Sequence, residues 1–403
     1  MCGNYENNDN WAVQDIYAAV ANMVSVRLFL AIMATHDLDC EQFDVSTAFL
    51  NALIPNDCKY YLEQPTGLEK GPRNKLVCLL IGALYGLRRS PLYWFETVLP
   101  IFKKLGFFPI GGDTCLLINK GLSALLILYV DDFLIAAPSK IINDIHLQLQ
   151  EHFTIKHMGL MRTFLGLDIV RNRDEHTVFI SQERYTRSII AKFNPSNKPL
   201  HPVKTPWPPD FKIHGGEPIP GKPKPYIKRT GSLNWVSLGT RPDITYTVGK
   251  LAEGNAKPTD KHITVMKHLW RYLTGLPDLG IMLGGKFSPT TDLQFRAYAD
   301  ASYADDIPTR RSTAGHAVFF TSGPILWKSK KQDLVTTSTT EAEFVNLVPT
   351  AKSLEWTGSM LNDLGIIDIT DNTRRILYTD SSNARDRALN KNIPARNRYI
   401  DIR

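Results

Sequence analysis

The sequence predicts an α/β (α+β) protein in which helices pack against mixed β-sheets. Three observations support this fold class. Two apolar runs flank a pair of carboxylates within residues 125–136, which indicates a buried β-hairpin. Ten of the 25 prolines fall between Pro195 and Pro225, where neither a helix nor an inner strand can persist. After about residue 292, three strand patterns precede alternating helix and strand, which is typical of a mixed-sheet domain.

Local patterns also give the order of the elements and a division into four regions. Apolar periodicity predicts helices at Val20–His36, Leu76–Leu105 (broken near Ser90), Ile141–Phe153, Glu183–Phe193, Gly231–Glu253, Asp260–Thr274, Glu341–Leu364 and Asn383–Asn390. Strands are predicted at Phe164–Val170, Val178–Ile180, Phe295–Ser302, Thr313–Thr321, Ile325–Lys330 and Arg375–Asp380. The predicted regions are residues 1–193, a Pro- and Lys-rich linker over 194–229, a helical region over 230–284, and a mixed-sheet domain over 285–403.

Composition is that of a globular protein with a weak preference for a polyanionic partner. The 403 residues are 43% hydrophobic and 22% charged, and the net charge is +7. Residues 194–229 contain seven Lys/Arg and two Asp/Glu, so most of the excess lies in the linker. The five cysteines form no CxxC pair, which argues against a disulfide framework or a zinc site. The polar N-terminus lacks a signal-peptide pattern, and we expect a cytoplasmic protein without a membrane span.

The first acidic cluster is Asp131-Asp132 within LLILYVDDFLIAA. Two adjacent carboxylates at the tip of an apolar hairpin are costly unless something neutralises them, and a divalent metal would do so. A third carboxylate from elsewhere is needed for two metals, and Asp44 in FDVSTAFLNA is a candidate. The alternative is a solvated turn, which is our interpretation of the second such pair, Asp305-Asp306.

Several longer runs resemble one known family. LLILYVDDFLIAA, FDVSTAFLNALIP and CLLIGALYGLRRSPLYWFETV are similar to the reverse transcriptase of copia-type LTR retrotransposons, as are the later runs FLGLDI, TRPDITYTVGKL and HLWRYLTG. YADASYADDIPTRRSTAGHAVFF, SKKQDLVTTSTTEAEF and ILYTDSSNA resemble the ribonuclease H domain of the same polyproteins. The fold that the resemblance implies is a reverse transcriptase palm and connection followed by a ribonuclease H-like domain. By this resemblance we expect the family's fingers segment and C-terminal end to be missing, so that the chain would be a fragment of a polyprotein, a decayed element or a gene model truncated at both ends.

The resemblance also implies roles for individual residues. Asp44, Asp131 and Asp132 would bind two Mg²⁺ (or Mn²⁺) ions for DNA synthesis. Phe49 stands where the family places an aromatic ring under the incoming sugar, although a core aromatic is an equal alternative. The positions that line the family's nucleotide pocket are Tyr85, Gly86 and Arg88. The ribonuclease H carboxylates carried over are Asp300, Glu343, Asp380 and Asp401.

The choice of Glu343 over Glu341 has a separate physical argument. Ser338 and Glu341 have capping-box spacing, so we expect the Glu341 carboxylate to accept the Ser338 backbone N–H and Glu343 to remain available for metal. Strand alternation is expected to place Asp300 opposite the inward-facing Ala297 and Ala299, and the helix after Ser338 is expected to cross the face that carries Asp300.

The predicted function is therefore RNA-directed DNA polymerase with ribonuclease H activity. Its partners would be an RNA template, a DNA primer, deoxynucleoside triphosphates and an RNA–DNA hybrid, in the cytoplasm or within virus-like particles. The alternatives are a catalytically silent nucleic-acid-binding remnant and a hydrolase acting on RNA alone. The sequence leaves the oligomeric state open.

Overall fold

The structure, a computed structural model, describes residues 19–73, 75–194, 200–220, 224–286, 295–366 and 375–389. These residues fall into two compact units. The first contains the described residues up to Phe29 together with Leu38–Met161, and the second contains Leu30–Asp37 and the described residues from Arg162 onward. The four-region division is finer than this and remains a prediction.

The first unit is built on a six-stranded sheet of order β4-β5-β6-β7-β1-β8. Its strands are β1 (Asp39–Val45), β4 (Phe108–Ile110), β5 (Asp113–Asn119), β6 (Ala124–Tyr129), β7 (Asp132–Ala137) and β8 (Ile155–Leu160). A separate hairpin pairs β2 (Tyr61–Glu63) with β3 (Val77–Leu79). The helices are α1 (Met23–Thr35), which continues into the second unit, α2 (Ser90–Lys104) and α3 (Ser139–Gln150).

Burial explains why β6 and β7 lie in the middle of this sheet. Nearly every side chain of the two strands is buried, as expected for apolar runs covered on both faces. Phe43 of β1 stacks on Phe133 of β7 with ring centroids 5.3 Å apart. Trp94 of α2 packs into the same core. The predicted hairpin at residues 125–136 is therefore the central strand pair of the unit.

One helix prediction in this unit is wrong over half its length. Residues 76–105 were expected to be mostly helical, but Val77–Leu79 is a strand and the helix begins only at Ser90. Pro91 lies in the first turn of α2, where a backbone N–H would have no acceptor within the helix, so proline costs no hydrogen bond there. Gly86 has φ +108°, a conformation that no helix continues through.

The second unit contains two four-stranded sheets with helices between them in sequence. The first sheet has the order β12-β11-β10-β9, and the second has the order β15-β14-β13-β16. The strands are β9 (Thr163–Phe164), β10 (Leu167–Asn172), β11 (Thr177–Ser181), β12 (Ile281–Gly284), β13 (Phe295–Asp306), β14 (Arg311–Phe320), β15 (Gly323–Lys331) and β16 (Ile376–Thr379). The helices are α4 (Glu183–Phe193), α5 (Lys224–Gly239), α6 (Thr245–Glu253), α7 (Asp260–Gly275), α8 (Thr339–Asp363) and α9 (Ser382–Ala388).

The predicted helix over residues 231–253 is two helices, α5 and α6, separated by a 3₁₀ turn at Pro242–Ile244. Arg241 is 1% exposed at this break. Its guanidinium donates to both carboxylate oxygens of Asp243, at 2.9 and 2.8 Å, and to the Leu276 carbonyl at 2.7 Å. The buried cation is thus neutralised by a bidentate carboxylate, and it ties the 3₁₀ turn to the end of α7.

The Pro-rich segment packs more closely than a free linker. Residues 200–220 contain no helix or strand, as predicted. Ile213 is nevertheless buried within the core formed by α5, α6 and α7, and Trp207 packs against that core. The Lys261 ammonium donates to the His214 carbonyl at 2.5 Å. This part of the predicted linker is therefore a docked surface segment.

The C-terminal sheet is mixed, and one long helix covers one of its faces. Strand β13 is antiparallel to β14 and parallel to β16. Helix α8 packs on the face that carries Phe295 and Ala299, where Leu347 is buried and Gly358 lies against the Phe295 ring. The mixed α/β fold class is thus as predicted. Within the described residues, no helix is long and apolar enough to cross a membrane.

Asp305-Asp306 is a buried ionic cluster, and the solvated-turn interpretation was wrong. Both residues end strand β13, and Asp306 is 2% exposed. The Lys331 ammonium lies 2.9 Å from Asp306, and the Lys250 ammonium lies 2.9 Å from Asp305. Two lysines distant in sequence therefore neutralise the pair, which local sequence could not reveal.

Gly323 offers a test of the contact between β15 and β12. A Cβ at this position would lie 1.9 Å from the Met282 carbonyl oxygen, so the backbones must separate to admit it. We expect Gly323→Ala to reduce the free energy of unfolding by about 1–3 kcal/mol. Urea unfolding followed by tryptophan fluorescence measures this. Gly315→Ala is the control, since its Cβ would meet nothing closer than 3.8 Å. Equal midpoints for the two variants would contradict the close approach.

His316 should make stability depend on pH. Burial, together with nearby Lys328, lowers the pKa of His316 from 6.5 to about 4, and its Nε2 lies 3.0 Å from Ser353 Oγ. Between these values the unfolded chain binds a proton that the folded chain does not, so the free energy of unfolding should fall as pH drops from about 6.5 to about 4. His316→Gln, which can still reach Ser353, should flatten that slope in urea titrations.

The exposed His152 provides the matched substitution for this measurement. His152→Gln should leave the slope unchanged. A wild-type slope that survives in His316→Gln would assign the pH dependence to other groups.

Candidate active sites

The turn between β6 and β7 holds Asp131 and Asp132 beside Asp44. Asp44 faces Asp132 directly in the antiparallel register of β1 and β7. The Val45 N–H donates to the Asp131 carbonyl at 3.0 Å, which ties the turn to β1. Three carboxylates from two distant parts of the sequence therefore lie on neighbouring strands.

The turn itself is strained. Val130 has φ +57°, a left-handed conformation that a β-branched residue rarely adopts. The Trp94 indole N–H donates to the Val130 carbonyl at 2.6 Å, and this bond holds the peptide in place. Such strain is concentrated at functional sites, where surrounding structure enforces it.

Charge repulsion is evident among these carboxylates. Burial raises the pKa of Asp132, and the charges of Asp131 and Asp44 raise it further, while a hydrogen bond from Gln42 opposes the rise. The Lys156 ammonium lies 3.9 Å from Asp44. Lys156 was missed at the sequence level because it faces Asp44 only through the pairing of β1 with β8, a strand not predicted from its pattern.

The residues proposed to line a nucleotide pocket lie near this turn. Phe49, on a 3₁₀ helix at Ala48–Asn51, is 8% exposed, and its ring centroid is 4.5 Å from that of Tyr85. Burial raises the pKa of Tyr85, with further contributions from Asp131 and Asp44, which places its hydroxyl in their field. Gly86 and Arg88 follow on the exposed loop. The core and the sugar-contacting interpretations of Phe49 both fit this position.

The structure draws the second cluster together more tightly than the first. Asp300, Glu343 and Asp380 each offer a ligand atom, and these atoms lie within 4.8 Å of one another. Among the described residues, these three carboxylates form a group that could hold a metal ion. Asp44, Asp131 and Asp132 share a strand end without forming such a group. Asp401 lies outside the described residues.

The end of strand β16 explains how Glu343 reaches the cluster. Its parallel pairing with β13 ends at Ala299 and Thr379, so Ala301 has no strand partner on that side. The Ala301 N–H instead donates to Glu343 Oε1 at 3.0 Å. This hydrogen bond places Glu343 beside Ala301 at one corner of the sheet. Asp380 follows the end of β16 directly.

Asn346 fastens the same corner from the helix. Its amide nitrogen donates to the carbonyls of Asp300 and Gly315, both at 2.8 Å, and the residue is fully buried. Because these carbonyls lie on adjacent strands, one side chain fixes α8 to both β13 and β14. Sequence reasoning missed Asn346, although an amide three residues after Glu343 on a predicted helix shares its face.

The environment of Glu343 fits that of a metal ligand. Burial raises its pKa to about 6; the Ala301 N–H opposes this, and the charges of Asp300 and Asp380 add to it. Its second oxygen, Oε2, is buried and accepts no hydrogen bond from the described residues. A buried oxygen in this state fits a divalent cation, since carboxylate oxygen is the preferred ligand of Mg²⁺.

Two expectations about this cluster were wrong in detail. The Glu341 carboxylate accepts the N–H of Thr337 at 2.7 Å, not that of Ser338, although Ser338 Oγ does cap the Glu341 N–H at 3.1 Å. Helix α8 also covers the face opposite Asp300. Glu343 reaches Asp300 around the end of β16, which strand alternation alone could not show.

Known proteins resemble the chain over most of its length. Residues 3–207 match the reverse transcriptase (RNA-dependent DNA polymerase) family. The Retrovirus-related Pol polyprotein from transposon TNT 1-94 of Nicotiana tabacum is 32% identical over 99% of this chain and 30% of its own length. The corresponding polyprotein from transposon RE2 of Arabidopsis thaliana is 33% identical over 87% of this chain and 24% of its own length. A putative transposon Ty5-1 protein of Saccharomyces cerevisiae is 29% identical over 77% of this chain and 100% of its own length.

The chain covers less than a third of the first two polyproteins, so it corresponds to one section of such a protein. More than half of its residues lie within the matched family region. The chain belongs to the reverse transcriptase (RNA-dependent DNA polymerase) family of copia-type transposon Pol polyproteins.

Proposed function

We propose that this chain is an RNA-directed DNA polymerase that also hydrolyses the RNA strand of an RNA–DNA hybrid, with a separate metal-dependent site for each reaction. The observation that carries the proposal is the convergence of Asp300, Glu343 and Asp380 within 4.8 Å around one orphaned buried oxygen. Surface acids with a structural role do not have to lie this close together. Three carboxylates at this distance repel one another at neutral pH, and a bound cation would offset that repulsion.

Asp300, Glu343 and Asp380 would hold Mg²⁺ or Mn²⁺ in the hydrolytic site. When bound, such ions activate water and stabilise charge on the phosphate. The chain supplies the orientation: the Ala301 N–H holds one Glu343 oxygen, and the other is buried without a hydrogen-bond donor among the described residues. Asn346 keeps the backbone of Asp300 fixed to α8. Asp401 remains a proposed fourth ligand.

The synthetic site would use Asp44, Asp131 and Asp132 as metal ligands. Support comes from the direct pairing of Asp44 with Asp132 and from the pKa of Asp132, which is raised by burial and further by the charges of Asp131 and Asp44. The Lys156 ammonium supplies a positive charge near the Asp44 carboxylate. The Phe49–Tyr85 pair would form one wall of the deoxynucleotide pocket, with Gly86 and Arg88 along its edge.

The partners in this proposal are an RNA template, a DNA primer, deoxynucleoside triphosphates and the hybrid that synthesis produces. A second candidate function is that of a nucleic-acid-binding remnant without catalysis. The observation in its favour is that Asp44, Asp131 and Asp132 do not form a metal-binding group as the second cluster does.

Two single substitutions should separate the activities. Asp131→Asn should abolish primer extension on an RNA template, at least about 100-fold, and leave hybrid hydrolysis intact, since it removes a metal ligand from one site only. Asp300→Asn should do the reverse. Asp333→Asn is the control, because Asp333 is 87% exposed and pairs only with surface Lys330.

Each outcome of this pair of assays has a defined meaning. Primer extension that survives Asp131→Asn would refute the synthetic site, and hydrolysis that survives Asp300→Asn would refute the hydrolytic one. A wild-type chain that binds hybrid and performs neither reaction would establish the silent remnant.

Divalent metal should stabilise the folded chain. At pH 7.5 Glu343 is ionised, and a bound cation would relieve its repulsion with Asp300 and Asp380. A metal concentration 100 times its Kd adds about 2.7 kcal/mol of stability, which corresponds to a few degrees in Tm. The gain should be smaller at pH 5, where protons compete for Glu343. Asp300→Asn should reduce the gain measured by differential scanning fluorimetry, and an unchanged gain would place the metal elsewhere.

A further inference from the structure

The β2–β3 hairpin of the first unit presents an exposed face to solvent. Its side chains alternate between the core and the solvent over residues 59–63 and 77–81. The inward side chains include Tyr60 and Leu80, which pack against the main core of the unit. The Leu80 N–H donates to the Tyr60 carbonyl at 2.9 Å, so the pairing of the two segments continues one residue before β2. The outward side chains therefore form two ordered rows on one surface.

The outward row on β3 is entirely apolar. Val77, Leu79 and Ile81 are 57%, 52% and 75% exposed. Contiguous aliphatic side chains that face water lose the stabilisation that burial would give them, and such surfaces mark interaction sites. A hairpin of two strands is also only marginally stable by itself, so a cover on this face would strengthen it.

The outward row on β2 carries opposite charges at its two ends. It begins at Lys59, passes through Tyr61, which is 60% exposed, and ends at Glu63. Tyr61 is the register partner of Leu79, so the middle residues of the two rows lie side by side. Lys59 and Glu63 are each two residues from Tyr61, about 7 Å along an extended chain. The surface formed by both rows, the hairpin face, consists of Lys59, Tyr61, Glu63, Val77, Leu79 and Ile81.

The hairpin face is complementary to itself. A two-fold axis that crosses both strands through Tyr61 and Leu79 turns the face over and reverses the direction of each strand. Lys59 then lies opposite Glu63 of the second copy, and the reciprocal pair forms at the other end of the row. The apolar row of β3 packs on the same row of the second copy. Such a contact has the symmetry of most homodimers and the aligned strands of packed sheets.

Other classes of partner fit the hairpin face less well. A nucleic acid strand would bring phosphates near Glu63, and the aliphatic row offers its bases no ring for stacking. An anionic membrane surface attracts clusters of basic side chains, whereas this face has one cation and one anion. A second copy of the chain pairs both charges and covers both rows.

We propose that the hairpin face is a homodimer interface, at which two copies of this chain pack on each other about this two-fold axis. Six outward side chains per copy are far fewer than the roughly 20–30 residues that a standard interface uses on each side, so the dimer is weak and transient. We expect a Kd on the order of 10 μM. The interface uses no residue of either carboxylate site, and its test is independent of both activities.

Charge reversal in the full chain tests the interface. Sedimentation velocity over about 2–200 μM protein, at an ionic strength of about 50 mM, should show wild-type monomer and dimer in reversible exchange. Lys59→Glu and Glu63→Lys should each raise the Kd at least about tenfold, because each turns two attractive pairs into two repulsive ones. Lys140→Glu is the matched control and should leave the Kd unchanged, since Lys140 is exposed on α3, outside the hairpin.

An equimolar mixture of the two single variants tests the alignment of the two copies. One variant carries two anions in the row on β2 and the other carries two cations, so a heterodimer regains both attractive pairs. Native mass spectrometry should detect this heterodimer. The Lys59→Glu, Glu63→Lys double variant should dimerise like the wild type.

Three results would overturn the proposal. A wild-type chain that stays monomeric up to about 200 μM assigns the face to another occupant, such as a different protein or a nucleic acid. Single variants that dimerise as tightly as the wild type place the dimer contact elsewhere on the chain. Single variants that stay monomeric when mixed refute the two-fold pairing of Lys59 with Glu63.

Discussion

The hydrogen bond from the Ala301 N–H to Glu343 is the contact on which the C-terminal site depends. Strand β16 ends at Thr379, two residues before the register position of Ala301, and the Glu343 carboxylate satisfies the N–H that is left there. The first turns of α8 must then lie at that corner, and Asn346 follows one helical turn later to fasten two strand carbonyls. The position of a strand end thereby decides the position of a carboxylate 42 residues away in sequence.

The two carboxylate clusters show different ways of tolerating like charge. At the β6–β7 turn, the Lys156 ammonium lies 3.9 Å from Asp44, and a hydrogen bond from Gln42 opposes the rise in the pKa of Asp132. In the C-terminal cluster, the Ala301 N–H holds the Glu343 carboxylate, and burial, together with the charges of Asp300 and Asp380, raises its pKa. Asp131 and Asp132 are partly exposed, whereas Glu343 is buried.

Sequence patterns were sufficient wherever structure is local. The apolar runs on either side of Asp131-Asp132 could only be a buried hairpin, and the alternation Phe295, Ala297, Ala299 correctly assigned the inward face of β13. Motifs located the candidate acids. What failed depended on pairing between distant segments: the partners of Asp305-Asp306, the face crossed by α8, and the strand at Val77–Leu79, whose partner β2 precedes it by some fifteen residues. No periodicity within one segment contains such information.

The ionic cluster formed by Lys250, Lys331, Asp305 and Asp306 has a practical consequence for handling the protein. Molar salt shortens the Debye length to about 3 Å and releases polyanions from exposed lysines and arginines. Lys250 and Asp306 are 4% and 2% exposed, so salt screens their ion pairs much less than it screens exposed charges. A high-salt wash that strips contaminating nucleic acid should therefore leave the junction of α6 with β13 and β15 intact.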